Sequence, residues 1–276
     1  KFEHTLFAMP FALASFTMAL VRGGERFSAV QLLWIVLCMV FARSAAMGFN
    51  RYADRAIDAQ NARTANRHIP AGKIAPRSAL GFVVVNCLLF VVSAGMLNPL
   101  CLYLSPVALA VVLGYSYTKR FTALCHFVLG LGLSIAPMGA WLAVTGSFHP
   151  LPLLLSAAVL FWTGGFDIIY ALQDEAFDRQ TKLFSLPSAL GPKGALRISS
   201  GVHLISALVL ALLGWFGAFG WLYWTGYALF AILLIWQHQI VSAQNSERAG
   251  EAFFTGNTIA AALFSAFLIA DLLVFG

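Results

Sequence analysis

Three stretches of this sequence, residues 78–118, 121–166 and 198–246, contain no Asp, Glu, Lys or Arg. A helix needs about 20 apolar residues to cross the hydrocarbon core of a bilayer, so each stretch is too long for one crossing and suits two. Only 10% of the 276 residues are charged and 60% are hydrophobic, whereas an ordinary soluble domain carries about 25% charge. The pattern predicts an all-α membrane protein with several spans. The formal charge of +6 would suit a nucleic-acid binder, but in a membrane protein a basic excess marks cytoplasmic loops, and nucleic acid is not expected as a partner.

Splitting the apolar runs at their turn residues gives nine transmembrane helices, at about 4–21, 28–58, 77–97, 100–118, 121–144, 151–178, 195–217, 219–242 and 252–275. The first is read as a span and not a cleaved signal, because Arg22 and Arg26 follow it where small residues would mark a cleavage site. Lys1 stands where a methionine is expected, so a few residues are expected to precede it, and the rest is read as complete. The whole of 1–276 is taken as one domain with two halves, about 1–144 and 145–276. With the N-terminus inside and the C-terminus outside, Lys1, the six basic residues from Arg51 to Arg77, Lys119, Arg120, Arg179, Lys182, Lys193, Arg197 and Arg248 all face the cytoplasm. Only Arg22 and Arg26 fall outside, and Arg43 lies within the second span. This orientation places the chain in the cytoplasmic membrane.

Two longer polar loops, at about 59–76 and 179–194, cap the cytoplasmic side, and function is expected there. At the end of the second span Asn50, Asp54 and Asp58 follow one another at i, i+4 and i+8, on one helix face. At the end of the sixth, Tyr170, Asp174 and Asp178 repeat the pattern, each 120 residues after its counterpart. Four carboxylates at the membrane edge are costly unless paired or bound to cations. Hard oxygen donors of this kind suit Mg2+, which binds through one or two carboxylates plus phosphate oxygens. Two facing Asp-x3-Asp edges thus describe a magnesium-diphosphate clamp. Arg63 and Arg67 after the first motif, Lys182 after the second and Lys119-Arg120 at the turn between are the cations to meet the phosphate oxygens. Positive-inside topology accounts for some of the same basic residues.

These residues carry a family resemblance. Asn50-x3-Asp54-x3-Asp58, Arg63-Thr64-Ala65-Asn66-Arg67, Pro70-Ala71-Gly72, the basic turn Tyr115-Ser116-Tyr117-Thr118-Lys119-Arg120-Phe121-Thr122 and Asp167-x2-Tyr170-x3-Asp174-x3-Asp178 together resemble the UbiA family of intramembrane aromatic prenyltransferases, across nearly the whole chain. The resemblance implies nine helices around a central cavity, capped by the two cytoplasmic loops and open sideways to lipid. It implies magnesium-assisted ionisation of a polyprenyl diphosphate and attack by a small aromatic acceptor, with 4-hydroxybenzoate first and a dihydroxynaphthoate second. Asn50, Asp54, Asp58, Asp174 and Asp178 are then the metal and catalytic set. Arg43, Arg63, Arg67, Tyr115, Lys119, Arg120, Asp167, Tyr170 and Lys182 are the substrate-binding set.

Arg43, seven residues before Asn50 within an apolar span, should have a carboxylate partner. That partner is the carboxylate of an acidic aromatic substrate, a diphosphate oxygen or Asp167. The six histidines, His4, His68, His126, His149, His203 and His238, show no zinc spacing. Cys38, Cys87, Cys101 and Cys125 form no CxxC pair and are read as core or lipid-facing thiols. Asp271 is expected at the outer interface. Two other classes fit parts of the pattern. A transporter would also hold intramembrane acids in an internal repeat, though nearer the midplane. The CDP-alcohol phosphotransferases use acidic motifs and magnesium, but their Asp-Gly step is absent here.

Overall fold

The computed structural model describes residues 7–242, 249–251 and 255–276. Every regular element among them is helical. The helices are α1 (Met9–Arg22), α2 (Ala29–Ala53), α3 (Arg55–Gln60), α4 (Pro76–Gly95), α5 (Pro99–Thr118), α6 (Cys125–Thr145), α7 (Pro150–Ala171), α8 (Glu175–Gln180), α9 (Leu186–Phe216), α10 (Trp221–Ile240) and α11 (Asn257–Phe275), with a single turn at Ala249–Glu251. Five begin with proline in the first turn, where its missing N–H costs no helical bond. Ser28, Asn98, His149 and Ser185 cap α2, α5, α7 and α9 by accepting from Gln31, Cys101, Leu151 and Ser188 backbone N–H groups.

Each of the nine expected spans finds a helix, although parts of the first and last lie outside the described residues. Seven of the described helices are long and apolar enough to cross a membrane; α1 is shorter and α10 is not among the seven. The multi-pass membrane architecture is plain, and the count of nine crossings goes beyond it. Three boundaries differ from expectation. The second span does not run unbroken to residue 58 but bends at Asp54, and the sixth bends at a 3-10 turn, Leu172–Asp174. The second capping loop is short, because α9 begins at Leu186 and its first turns are set off by a kink at Gly191, whose φ of 70° favours glycine, followed by Pro192.

The helices pack in a ring: α2 on α4, α4 on α5, α5 on α6, α6 on α7, α7 on α9, α9 on α10, α10 on α11, with α1 closing it against α11 and α6. Close approach of α6 and α7 depends on Gly130, where a Cβ would overlap the Leu160 carbonyl. The tight part of the ring surrounds Trp162, which meets Phe11, Phe166 and Phe230 at centroid distances of 5.2, 4.9 and 6.0 Å. Thirteen residues of α7 are buried but only three of α5, so the loosely packed side, α2 to α6, is where space is left. Asp271 lies near the end of the last helix. It is buried and accepts from the Gly220 and Tyr223 N–H groups at 2.8 and 3.1 Å, capping the first turn of α10.

Candidate active site

The bends in α2 and α7 are the origin of the site. Asp54 (φ −90°, ψ 3°) and Asp174 (φ −106°, ψ 3°) both leave helical geometry by the same small step. Helical hydrogen bonds nevertheless continue through the first bend, from Asp54 N–H to Asn50 at 2.9 Å and from Asp58 N–H to Asp54 at 2.7 Å. Asn50, Asp54 and Asp58 therefore keep a common side. Both bent ends open on one polar cavity of about 1120 Å³. Its lining includes Arg43, Asn50, Asp54, Asp58, Arg63, Arg67, Tyr115, Lys119, Asp167, Tyr170, Asp174 and Asp178.

The carboxylates do not converge on one point; Asp54, Asp58 and Asp174 are each matched to a base. Asp54, 2% exposed, accepts from Asn50 Nδ2 at 3.1 Å and meets Lys119 Nζ at 2.7 Å through Oδ2. Asp58, 4% exposed, takes Arg67 Nη1 on both oxygens at 2.7 and 2.8 Å. Asp174 accepts from Asn61 Nδ2 and Arg63 Nε at 3.0 Å each and from Arg63 Nη2, a two-pronged grip that also places the guanidinium over the Tyr170 ring. Burial works against the Arg63 charge, but the bonds and charge of Asp174, with Tyr170, raise its pKa above the ordinary arginine value. Asp178 faces the Ser185 hydroxyl. Without these cations the buried acids would carry uncompensated charge.

Among the described residues no three carboxylate, His or Cys groups are close enough to hold a cation unaided. That arrangement suits magnesium, which completes its shell with phosphate oxygens and water. One acceptor is already open: among the described residues Asp54 Oδ1 is buried without a hydrogen-bond partner, with Arg120 Nη2 at 3.5 Å.

Arg43 does not pair with Asp167. Its Nε is buried with no partner among the described residues, and Asp167 bonds instead to His126 at 2.7 Å. Arg43 sits where the polar cavity meets a narrower apolar slot of about 190 Å³; the two share Arg43, Tyr115, Leu129 and Leu133. Arg120 lies behind the lining, donating to the Ala53 carbonyl at 2.7 Å and covering the Tyr117 ring. Lys182 is exposed in a left-handed turn (φ 56°) and stays outside the lining. Two contributors were missed from sequence: Arg51, whose buried Nη1 has no partner among the described residues, and His126. Arg51 is seven residues before Asp58, and that helical spacing is the signal that marks their shared face.

The sequence model of the UbiA prenyltransferase family matches residues 8–267. The 4-hydroxybenzoate octaprenyltransferase of Aeromonas hydrophila is 30% identical over 241 residues, covering 86% of this chain and 84% of the relative. That of Tolumonas auensis is 32% identical over 240 residues, with 87% and 84% covered. Among solved structures, a UbiA homolog from Aeropyrum pernix K1 in its apo form superimposes with a TM-score of 0.88 at 32% identity over 98% of both chains. A UbiA homolog from Archaeoglobus fulgidus bound to GPP and Mg2+ shares the fold, with a TM-score of 0.68 at 20% identity over 98% of this chain and 96% of that one.

Proposed function

We propose, for a chain that belongs to the UbiA prenyltransferase family, transfer of a polyprenyl group from its diphosphate to 4-hydroxybenzoate, with magnesium, in the building of a respiratory quinone. One observation carries this reading. Two acidic helix ends face one cavity, and three of their carboxylates are already matched to cations that suit phosphate. The relatives named for a 4-hydroxybenzoate acceptor support that ring over a dihydroxynaphthoate. A carrier role gains no support from them.

Asn50, Asp54, Asp58, Asp174 and Asp178 would hold magnesium, and the metal, when bound, neutralises the charge that develops on the departing diphosphate. Arg63, Arg67 and Lys119 line the same cavity and are placed to take phosphate oxygens in exchange for their present carboxylate partners. Arg43, at the inner end with its Nε unpartnered among the described residues, receives the carboxylate of the acceptor. The apolar slot beyond it takes the first part of the isoprenoid and keeps water from the allylic cation. Arg120 and Lys182 act on the site from outside its lining.

The charge asymmetry of the loops supports nine crossings of the cytoplasmic membrane, N-terminus inside and C-terminus outside, with the site facing the cytoplasm. The single 1–276 domain holds one acidic motif in each half.

The test is product formation by purified protein in detergent with geranyl diphosphate, magnesium and 4-hydroxybenzoate, with EDTA and dihydroxynaphthoate arms in parallel. Prenylated 4-hydroxybenzoate that disappears with EDTA and returns with added magnesium is the expected result. Product from dihydroxynaphthoate alone would replace the acceptor. Product insensitive to EDTA would remove the metal.

A further inference from the structure

We propose that His126 is a positioning residue for the acceptor half of the reaction: it holds Asp167 as the carboxylate that takes the proton released by the aromatic ring. The proposal rests on the prenyl-transfer reading above and adds to it the group that completes the substitution.

His126, in the first turn of α6, is buried, and its two ring nitrogens have different partners. Nε2 lies 3.2 Å from the Leu186 backbone N–H. An amide N–H only donates, so Nε2 must present its lone pair. The proton is then on Nδ1, which donates to Asp167 Oδ2 at 2.7 Å. The tautomer is thus set by backbone. Leu186 is itself fixed, because it follows Ser185 in a capping box at the start of α9, where first-turn N–H groups have no helical acceptor. His126 satisfies one of those orphan donors and in return is held in a single orientation.

Asp167 lines the cavity with its side chain 21% exposed. With Oδ2 occupied by His126, Oδ1 has no hydrogen-bond partner among the described residues. Asp54, Asp58 and Asp174 each face a lysine or arginine; the partner of Asp167 among the described residues is the His126 ring. It also lies seven residues before Asp174, about 10 Å along α7 toward the inner end of the cavity. The four clamp carboxylates are therefore at the diphosphate, and Asp167 is at the level of the ring, between the diphosphate and Arg43. Tyr115 is an electrostatic neighbour of both Arg43 and Asp167, so the two line the same region from opposite helices.

The step balances without any further reactant. The donor's C–O bond breaks with its electron pair leaving on diphosphate. A ring π pair forms the new C–C bond ortho to the hydroxyl. The C–H pair at that carbon then returns to the ring, and the proton passes to Asp167 Oδ1, from which water or the released diphosphate removes it. His126 keeps Oδ1 turned into the cavity. Without the Nδ1–H bond the carboxylate is free to swing toward Arg43, the unpaired guanidinium in the same lining.

Three variants test this: His126→Leu, which removes both bonds, His126→Gln, whose amide can donate to Asp167 and accept from Leu186, and Asp167→Asn. We expect kcat to fall about 10- to 100-fold in His126→Leu and further in Asp167→Asn, with the donor KM within about twofold of wild type. His126→Gln restores most of the rate. With 4-hydroxybenzoate deuterated at both positions ortho to the hydroxyl, His126→Leu and Asp167→Asn show a primary isotope effect larger than wild type, because loss of the ring proton has become slow. Wild-type kcat in His126→Leu, no rescue by Gln in a folded protein, or loss of rate without an isotope effect would each overturn the assignment. A readout that needs no turnover is the 15N spectrum of labelled histidine. A neutral His126 protonated on Nδ1 is expected, and an imidazolium at neutral pH would overturn the proposal. If wild-type protein prenylates no aromatic acceptor, the proposed function fails and Asp167's role with it, while the 15N result still decides whether the dyad exists.

Discussion

Asp54 and Asp174 are related as equivalent bends: 120 residues apart in sequence, Asp54 directly after α2 and Asp174 at the end of the 3-10 turn after α7, they adopt nearly the same backbone angles, and each carries a carboxylate that a loop or turn grips. The bend serves the chemistry. An unbroken helix would carry Asp58 and Asp178 straight on along the helix axis, whereas the break lets α3 and α8 fold over the cavity and bring the second acid of each pair to its edge.

Charge and backbone roles at these positions separate by substitution. Asn tolerates the same φ/ψ region as Asp, so Asp54→Asn and Asp174→Asn should keep the bends and give folded protein. Each removes a metal-binding charge, and turnover should fall by at least about 100-fold. Steady-state rates beside a thermal melt check this; a variant that retains a tenth of the activity would take its residue out of the clamp.

Lys119 and Arg63 make similar-looking bonds and should fail differently. Lys119 compensates a carboxylate that is 2% exposed, with only Arg120 at 3.5 Å to replace it. Lys119→Ala should therefore cost about 1–3 kcal/mol of stability, less than the loss from breaking a fully buried pair, and raise the donor KM about tenfold. A melt and a donor titration measure both; an unchanged donor KM would end the phosphate role.

The Arg63–Asp174 pair has side chains 35% and 20% exposed, and such pairs contribute about 0–1 kcal/mol. Arg63→Ala should leave the melting temperature almost unmoved while the donor KM rises. A stability loss as large as that of Lys119→Ala would mean that the first loop depends on this pair for its structure.

Much of this site was legible because helical spacing is a strong code. Asn50, Asp54 and Asp58 could be placed on one face from their intervals alone, and long charge-free runs announce a membrane protein regardless of detail. What could not be read were relations between distant segments. His126 pairs with Asp167, 41 residues away, and its other nitrogen meets a backbone N–H 60 residues away; no local pattern encodes either. The partners of Asp271 were hidden for the same reason: it lies near the end of a span, and its carboxylate meets the N–H groups of another helix's first turn. Lys182 shows the converse, since a basic residue close to an acidic motif in sequence is turned away by a left-handed backbone.

Arg43 offers the sharpest discrimination between substrates. It is a half-buried guanidinium whose buried Nε has no hydrogen-bond partner among the described residues, at the junction of the polar cavity and the apolar slot. Holding such a charge unpaired is costly, and an anionic ligand offsets that cost when it binds. If the ligand is the acceptor's carboxylate, Arg43→Ala should weaken the apparent affinity for 4-hydroxybenzoate about 10- to 100-fold, the range for losing one charge-assisted bidentate contact. Uncharged phenols of the same size should bind the variant as they bind wild type, and the donor KM should not change. Measuring the specificity constants of the two acceptors, the carboxylate-bearing ring and a neutral phenol, in wild type and variant settles the matter. Equal losses for the two acceptors, accompanied by a weaker donor KM, would move Arg43 to the diphosphate and leave the acceptor's carboxylate to Arg51, a second guanidinium of the cavity lining with a buried nitrogen unpartnered among the described residues.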